Sequence, residues 1–162
     1  MDSPRYRDAL IVLASHDVEF ILVGVLSAVV QGAPVTTFDV DIVHRRSAEN
    51  VERLLRALEE MDATYRGDSR KLAPTASHLI GPGHQLLRTT FGDVDCLGEI
   101  DGGRDYDALL PDSADVALGD GHHIRVLRIG ALIGIKERAG RPKDIAALPA
   151  LRATLDEIAK KR

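Results

Sequence analysis

A single cysteine, Cys96, is all that the 162 residues contain, so no disulfide can close within the chain and the composition suits a reducing compartment. A long hydrophobic run is missing as well. The longest apolar stretch, from Phe20 to about Val30, is too short and too interrupted by glycine to span a bilayer. No apolar core follows the arginines of the opening MDSPRYRDAL, which argues against secretion and for a cytoplasmic protein without membrane attachment. Nor is positive charge in excess: the formal net charge is −4, which weighs against a generally basic nucleic-acid binder and leaves room only for a local basic face. Paired cysteines, H-x-x-x-H spacing, a G-x-S-x-G nucleophile elbow and a Walker loop are all absent. His78, His84, His122 and His123 therefore do not read as a zinc site, and Cys96, with no evident base beside it, reads as a core residue. Low-complexity tracts, repeats and linkers are lacking too, so residues 1–162 read as one domain, long enough to bury a core.

What is present is an alternation of short helical and extended patterns. Ser3 and Pro4 make a helix start, with Tyr6, Leu10 and Leu13 on one face of a helix ending near His16. EFILV, residues 19–23, is a buried strand that closes on Gly24, and VLSAVVQG predicts a short helix stopping at Gly32 and Pro34. In TTFDVDIVH, Phe38, Val40 and Ile42 alternate with Thr37, Asp39, Asp41 and Val43. That is period two, so the strand carries its acids on the face opposite its apolar residues. Ser47 caps a further helix with a stripe of Val51, Leu54, Leu55 and Leu58. Residues 63–83 are turn-rich and take no clear pattern. Gln85–Phe91 and Asp93–Leu97 predict two strands joined at Gly92, and Asp120-Gly121 marks a second hairpin. Ile129–Ala139 is helical, and Ile145, Leu148, Leu151, Leu155 and Ile158 mark a last amphipathic helix. Helices around a small mixed sheet define an α/β or α+β domain.

The acidic strand carries the chemistry. Asp39 and Asp41 point to the same side, roughly 6–7 Å apart, and like charges that close need a cation or solvent between them. A hard divalent ion with carboxylate ligands answers that need. Upstream, Gly24 stands at a strand-to-helix turn where backbone amides can approach an anion, with Ser27 as a hydroxyl donor to a phosphate oxygen. Downstream, Asp95 in DVDCL offers a third carboxylate from another strand. An anion cradle beside three acids is what phosphoryl transfer requires.

These residues resemble the DNA polymerase β-like nucleotidyltransferases, whose signature is a hydrophobic strand, a glycine pair, a spacer and then h-D-h-D-h. LVGVLSAVVQGAPVTTFDVDIV follows that order. Within the superfamily the chain is most similar to a minimal bacterial group that includes the abortive-infection type IV toxins. Gly32-Ala33-Pro34-Val35-Thr36-Thr37 matches the segment that precedes their acidic pair, and Lys136 through Asp144 matches a later K-x-x-A-G-R-x-K-D stretch. The resemblance covers about residues 18–150 and implies a nucleotidyltransferase fold. It implies Mg²⁺ or Mn²⁺ on Asp39, Asp41 and Asp95, with Asp95 also activating the attacking hydroxyl, and a nucleoside triphosphate held near Gly24, Val25, Ser27, Thr37, Lys136 and Arg141. The implied reaction moves a nucleoside monophosphate to a hydroxyl on tRNA or on a protein, as the toxin of a pair with a cognate antitoxin. Val25 departs from the family, which has Gly or Ser there, and adds a side chain where a triphosphate oxygen approaches the backbone.

Two other readings stay open: an antibiotic-modifying nucleotidyltransferase, since small drug-modifying relatives share the acidic core, and a catalytically silent binding or antitoxin-like protein, for which Val25 is the best support. Lys136, Arg141 and Lys143 suit a phosphate clamp, while Asp144 reads as a helix cap or a partner of Arg141.

Overall fold

The computed structural model describes residues 5–37 and 39–161. The helix start at Ser3-Pro4, and Phe38 of the acidic strand, lie outside the described residues. Helix α1 (Tyr6–Ser15) leads into β1 (Phe20–Val23), α2 (Gly24–Val29) and the acidic strand β2 (Asp39–His44). After α3 (Ala48–Glu60), whose first turn is capped by Ser47 as the sequence predicts, the turn-rich stretch yields two short elements, β3 (Thr64–Tyr65) and α4 (Ala76–Ile80). A Thr75–His78 capping box starts α4, which gives His78 a structural task. Then follow β4 (His84–Thr89), β5 (Gly92–Leu97), α5 (Tyr106–Leu109), the hairpin β6 (Ser113–Gly119) and β7 (His122–Leu127), α6 (Ile129–Ala139) and α7 (Pro142–Lys160).

Two boundaries differ from the sequence expectation. The β4–β5 turn is Thr90-Phe91 rather than Gly92, because the Thr89 hydroxyl closes it, donating to the Gly92 carbonyl at 2.7 Å and accepting from Phe91 N. In α7 only part of the predicted stripe is inside: Leu148 and Leu151 are buried, but Ile145 is 51% and Leu155 37% exposed. Leu155 faces a cavity beside α6 instead of a packed neighbour.

The strands form one mixed sheet in the order β3-β4-β5-β2-β1-β7-β6. The sheet is antiparallel except for the β1–β7 and β2–β5 pairs. On one face Leu10 and Leu13 of α1, Leu54 and Leu58 of α3 and Leu79 of α4 pack on Leu22, Val40, Ile42, Val94 and Val126. On the other, Leu109 of α5, Leu132 and Ile133 of α6 and Leu148 and Leu151 of α7 cover Ile21, Val23, Val43, Leu97 and Leu127. Period-two alternation along β2 therefore gives Val40 and Ile42 to the first core and turns Asp39 and Asp41 toward α6 and α7. Cys96 is fully buried in the first core, where burial and the charge of Asp95 push its thiol well above the usual range. The second face is left bare over β4, where Leu86 is 44% exposed.

Candidate functional site

The site begins at the turn between β1 and α2. Gly24 has φ +68°, in the left-handed region that favours glycine, and a Cβ there would lie 2.5 Å from Asp41 Oδ2. The missing side chain gives the Asp41 carboxylate its place. Ser27 does not face a ligand as the sequence reading has it. It is fully buried, and its hydroxyl donates to the Gly24 carbonyl at 2.7 Å, so it braces the turn from behind.

Register then sets the acids side by side. Asp41 is the partner of Asp95 across the parallel β2–β5 pair, and Asp39 is the partner of Asp93. Burial, then the charge of Asp95 and a proton shared with it, then the charge of Asp39, raise the Asp41 carboxyl to about 7; the Arg66 guanidinium only partly opposes this. Asp95 carries a charge already answered: Arg66 Nη1 donates to its Oδ1 at 2.7 Å and to the Leu87 carbonyl at 2.9 Å, with Arg66 Nε 3.7 Å from Asp93. Asp39 is exposed at the mouth of the strand. Among the described residues, no three His, Cys, Asp or Glu side chains are gathered into a ready metal cage. The donor set is nevertheless all carboxylate oxygen, and Asp41 lacks a compensating cation of its own.

Asp39 and Asp41 line one wall of a cavity of about 620 Å³, together with Gly24, Val25 and Thr37. Lys136, Arg141 and Lys143, at the end of α6 and the start of α7, line the opposite wall. Two of these cations are held by one buried acid. Asp144, whose side chain is 1% exposed, accepts from Lys136 Nζ at 3.2 Å and from Arg141 Nε at 2.7 Å. Its carboxyl also accepts from the Arg141 backbone N–H, so it caps α7 while it orients the clamp. The hydrogen bond from Arg141, then that from Lys136, hold its pKa down at about 2. Leu97, Ile100, Leu132 and Ile135 supply an apolar wall.

The structure thus brings seven of the nine residues proposed from the sequence, Gly24, Val25, Thr37, Asp39, Asp41, Lys136 and Arg141, onto one cavity, and sets an eighth, Asp95, beside Asp41. Sequence reasoning missed Arg66, which reaches Asp95 across 29 positions from the turn-rich stretch and carries no motif. It missed Asp93 too, although Asp93-Val94-Asp95 repeats the spacing of Asp39-Val40-Asp41 and was readable.

Sheet order, cross-sheet helices and paired acids at the mouth of a central strand define a nucleotidyltransferase-fold protein. The solved structure of TM1012 from Thermotoga maritima, described as a "putative nucleotidyltransferase", matches it with a TM-score of 0.55 over 94% of this chain and 91% of that one, at 21% identity. At that identity the likeness establishes the fold. No protein-family model and no curated protein matches the sequence. Among the described residues no helix is long and apolar enough to cross a membrane.

Proposed function

We propose that the chain transfers a nucleoside monophosphate from a nucleoside triphosphate to a hydroxyl acceptor, with divalent metal, in the cavity between β2 and the α6–α7 junction. The observation that carries this reading is the opposition of charge across one cavity: Asp39 and Asp41 on one wall, Lys136, Arg141 and Lys143 on the other. Lys136 and Arg141, fixed from below by Asp144, grip the phosphates. The apolar wall at Leu132 and Ile135 receives the base or sugar, and Val25 narrows the approach beside Gly24. Arg66 holds Asp95 in place next to Asp41. Asp39, Asp41 and Asp95 are the residues that would hold Mg²⁺ or Mn²⁺, whose hard character suits carboxylate oxygen. Bound there, the metal would lower the pKa of the acceptor hydroxyl and neutralise the leaving phosphates.

The finer assignment is a toxin that modifies tRNA or a protein and is restrained by a cognate antitoxin. The bare sheet face over β4, beside Asp95, is where such an acceptor would dock. A second reading, a silent nucleotide-binding or partner-binding domain, draws on the Arg66–Asp95 ion pair, which already neutralises one acid without a metal.

Calorimetric titration of the four nucleoside triphosphates, with and without Mg²⁺, decides between them. Metal-dependent binding that disappears in Asp39→Asn/Asp41→Asn supports the enzyme. Binding indifferent to Mg²⁺ and to those substitutions favours the silent domain, and no binding by folded protein rejects both as nucleotide sites.

A further inference from the structure

Another face of α6 borders a second cavity, of about 560 Å³, that the nucleotide reading does not use. Its floor is backbone. Gly130 and Gly134 lie one turn apart on α6; a Cβ at Gly130 would meet nothing within 4 Å, and one at Gly134 would crowd Arg138 Nη1 at 3.2 Å. The helix has no side-chain cap, so the amides of its first turn, at Gly130 and Ala131, border the cavity without a side-chain partner.

Three guanidinium groups stand round this floor: Arg104, Arg128 and Arg138. Two carboxylates face them. Asp112 accepts from Arg104 at 2.6 Å, and Asp101 is gripped by Arg104 at 3.2 Å and by Arg138 at 2.7 Å. Arg128 has no ion pair among the described residues; its Nε only donates to the Ser113 carbonyl at 3.3 Å. The positive charge is therefore not fully answered. Gln31 cannot add to it, because its amide nitrogen is already committed to the carbonyls of Ser27 and Leu127, each at 2.8 Å. At the other end, Leu155 and Ile158 of α7 form an apolar wall, and Leu155 is 37% exposed there.

We infer that this cavity binds a small phosphate monoester, its phosphate on Arg128, Arg138 and the first-turn amides of α6, its organic part against Leu155 and Ile158. Forked guanidinium donors beside free helix amides match a dianion with three terminal oxygens. The apolar wall has no use for a bare inorganic ion. The inference does not rest on the nucleotide reading, and Arg138, which borders both cavities, makes it necessary to test them apart.

The test is calorimetric titration of metal-free protein with inorganic phosphate, phenyl phosphate and AMP. Wild type is compared with Arg128→Ala, Gly130→Glu and Asp39→Asn/Asp41→Asn. Arg128 has no carboxylate to orphan, and Glu at Gly130 enters open space in a helix first turn, where the dipole favours it. Both variants should fold, checked by circular dichroism. The expected result is that the esters bind severalfold tighter than inorganic phosphate, and that Arg128→Ala weakens them about tenfold or more. Gly130→Glu should abolish binding, and the Asp39/Asp41 variant should keep it. AMP tighter than phenyl phosphate would identify the occupant as a nucleotide, and equal affinities a general ester; either supports the site. The inference is overturned if no ester binds at millimolar concentration, if inorganic phosphate binds as tightly as the esters, or if binding ignores Arg128→Ala and Gly130→Glu.

Discussion

Replacing Asp41 by Asn should stabilise the metal-free protein in mildly alkaline solution. Asp41 is half-buried among Asp95 and Asp39, and these surroundings raise its carboxyl from 3.8 to about 7. The folded state therefore holds a proton that the unfolded chain releases. Between those two values stability falls as pH rises; below the lower one there is no penalty, and above about 7 the whole penalty is present. That difference corresponds to about 4 kcal/mol, or about 2–4 kcal/mol once solvent at the cavity mouth is allowed for. Asn keeps the volume and removes the charge, so at about pH 8 the variant should melt roughly 5–15 °C above wild type. Near pH 4 the two should coincide. The assay is thermal and urea unfolding across that range in the presence of a chelator. Mg²⁺ added at high pH should raise the melting temperature of wild type and leave the variant unmoved, since the cation supplies what the fold lacks. An Asn variant less stable than wild type at pH 8, or equally shifted at pH 4 and pH 8, would refute the claim that Asp41 stores repulsion.

Gly24→Ala should cost about 1–2 kcal/mol for the left-handed backbone alone, and displace Asp41, whose Oδ2 lies 2.5 Å from the new Cβ. Urea denaturation and nucleotide titration should therefore fall together. Asp144→Asn should cost at least about 2 kcal/mol at neutral pH, because its lowered carboxyl is ionised and buried between Lys136 and Arg141. The same stability should be lost in wild type as pH falls from 3.8 toward about 2, read by urea midpoints along a pH series. Arg66→Ala should destabilise by about 1–3 kcal/mol at pH 8 by leaving Asp95 beside Asp41 without its cation. Arg66→Lys should recover only part, since an ammonium cannot serve Asp95, Asp93 and the Leu87 carbonyl from one planar fork.

Much of this was legible because it is local. Period two in residues 39–44 set Asp39 and Asp41 on one face, and Asp120-Gly121 specified the β6–β7 turn, where both residues have positive φ. Gly24 announced a turn, and Ser47 a cap. The partners of those residues were not local. Whether Ser27 faced a phosphate or the Gly24 carbonyl depended on which side of a six-residue helix met the core, and a segment so short and uniformly apolar holds no such signal. Ile145 and Leu155 fit a helical stripe, yet what lies opposite each of them is set by how far α6 extends along α7.

The sequence by itself therefore determined the element types, the acidic face of β2 and the helix that bears Lys136, because hydrogen bonding along a segment and the geometry of a strand or helix act over a few residues. Tertiary structure alone decided that Asp95 stands opposite Asp41, that Arg66 answers Asp95, and that Asp144 gathers Lys136 and Arg141 at the wall facing the acids. Strand order and register bring those charges within a few ångströms. There, low solvent access makes their interaction strong enough to matter, and no periodicity along the chain encodes it.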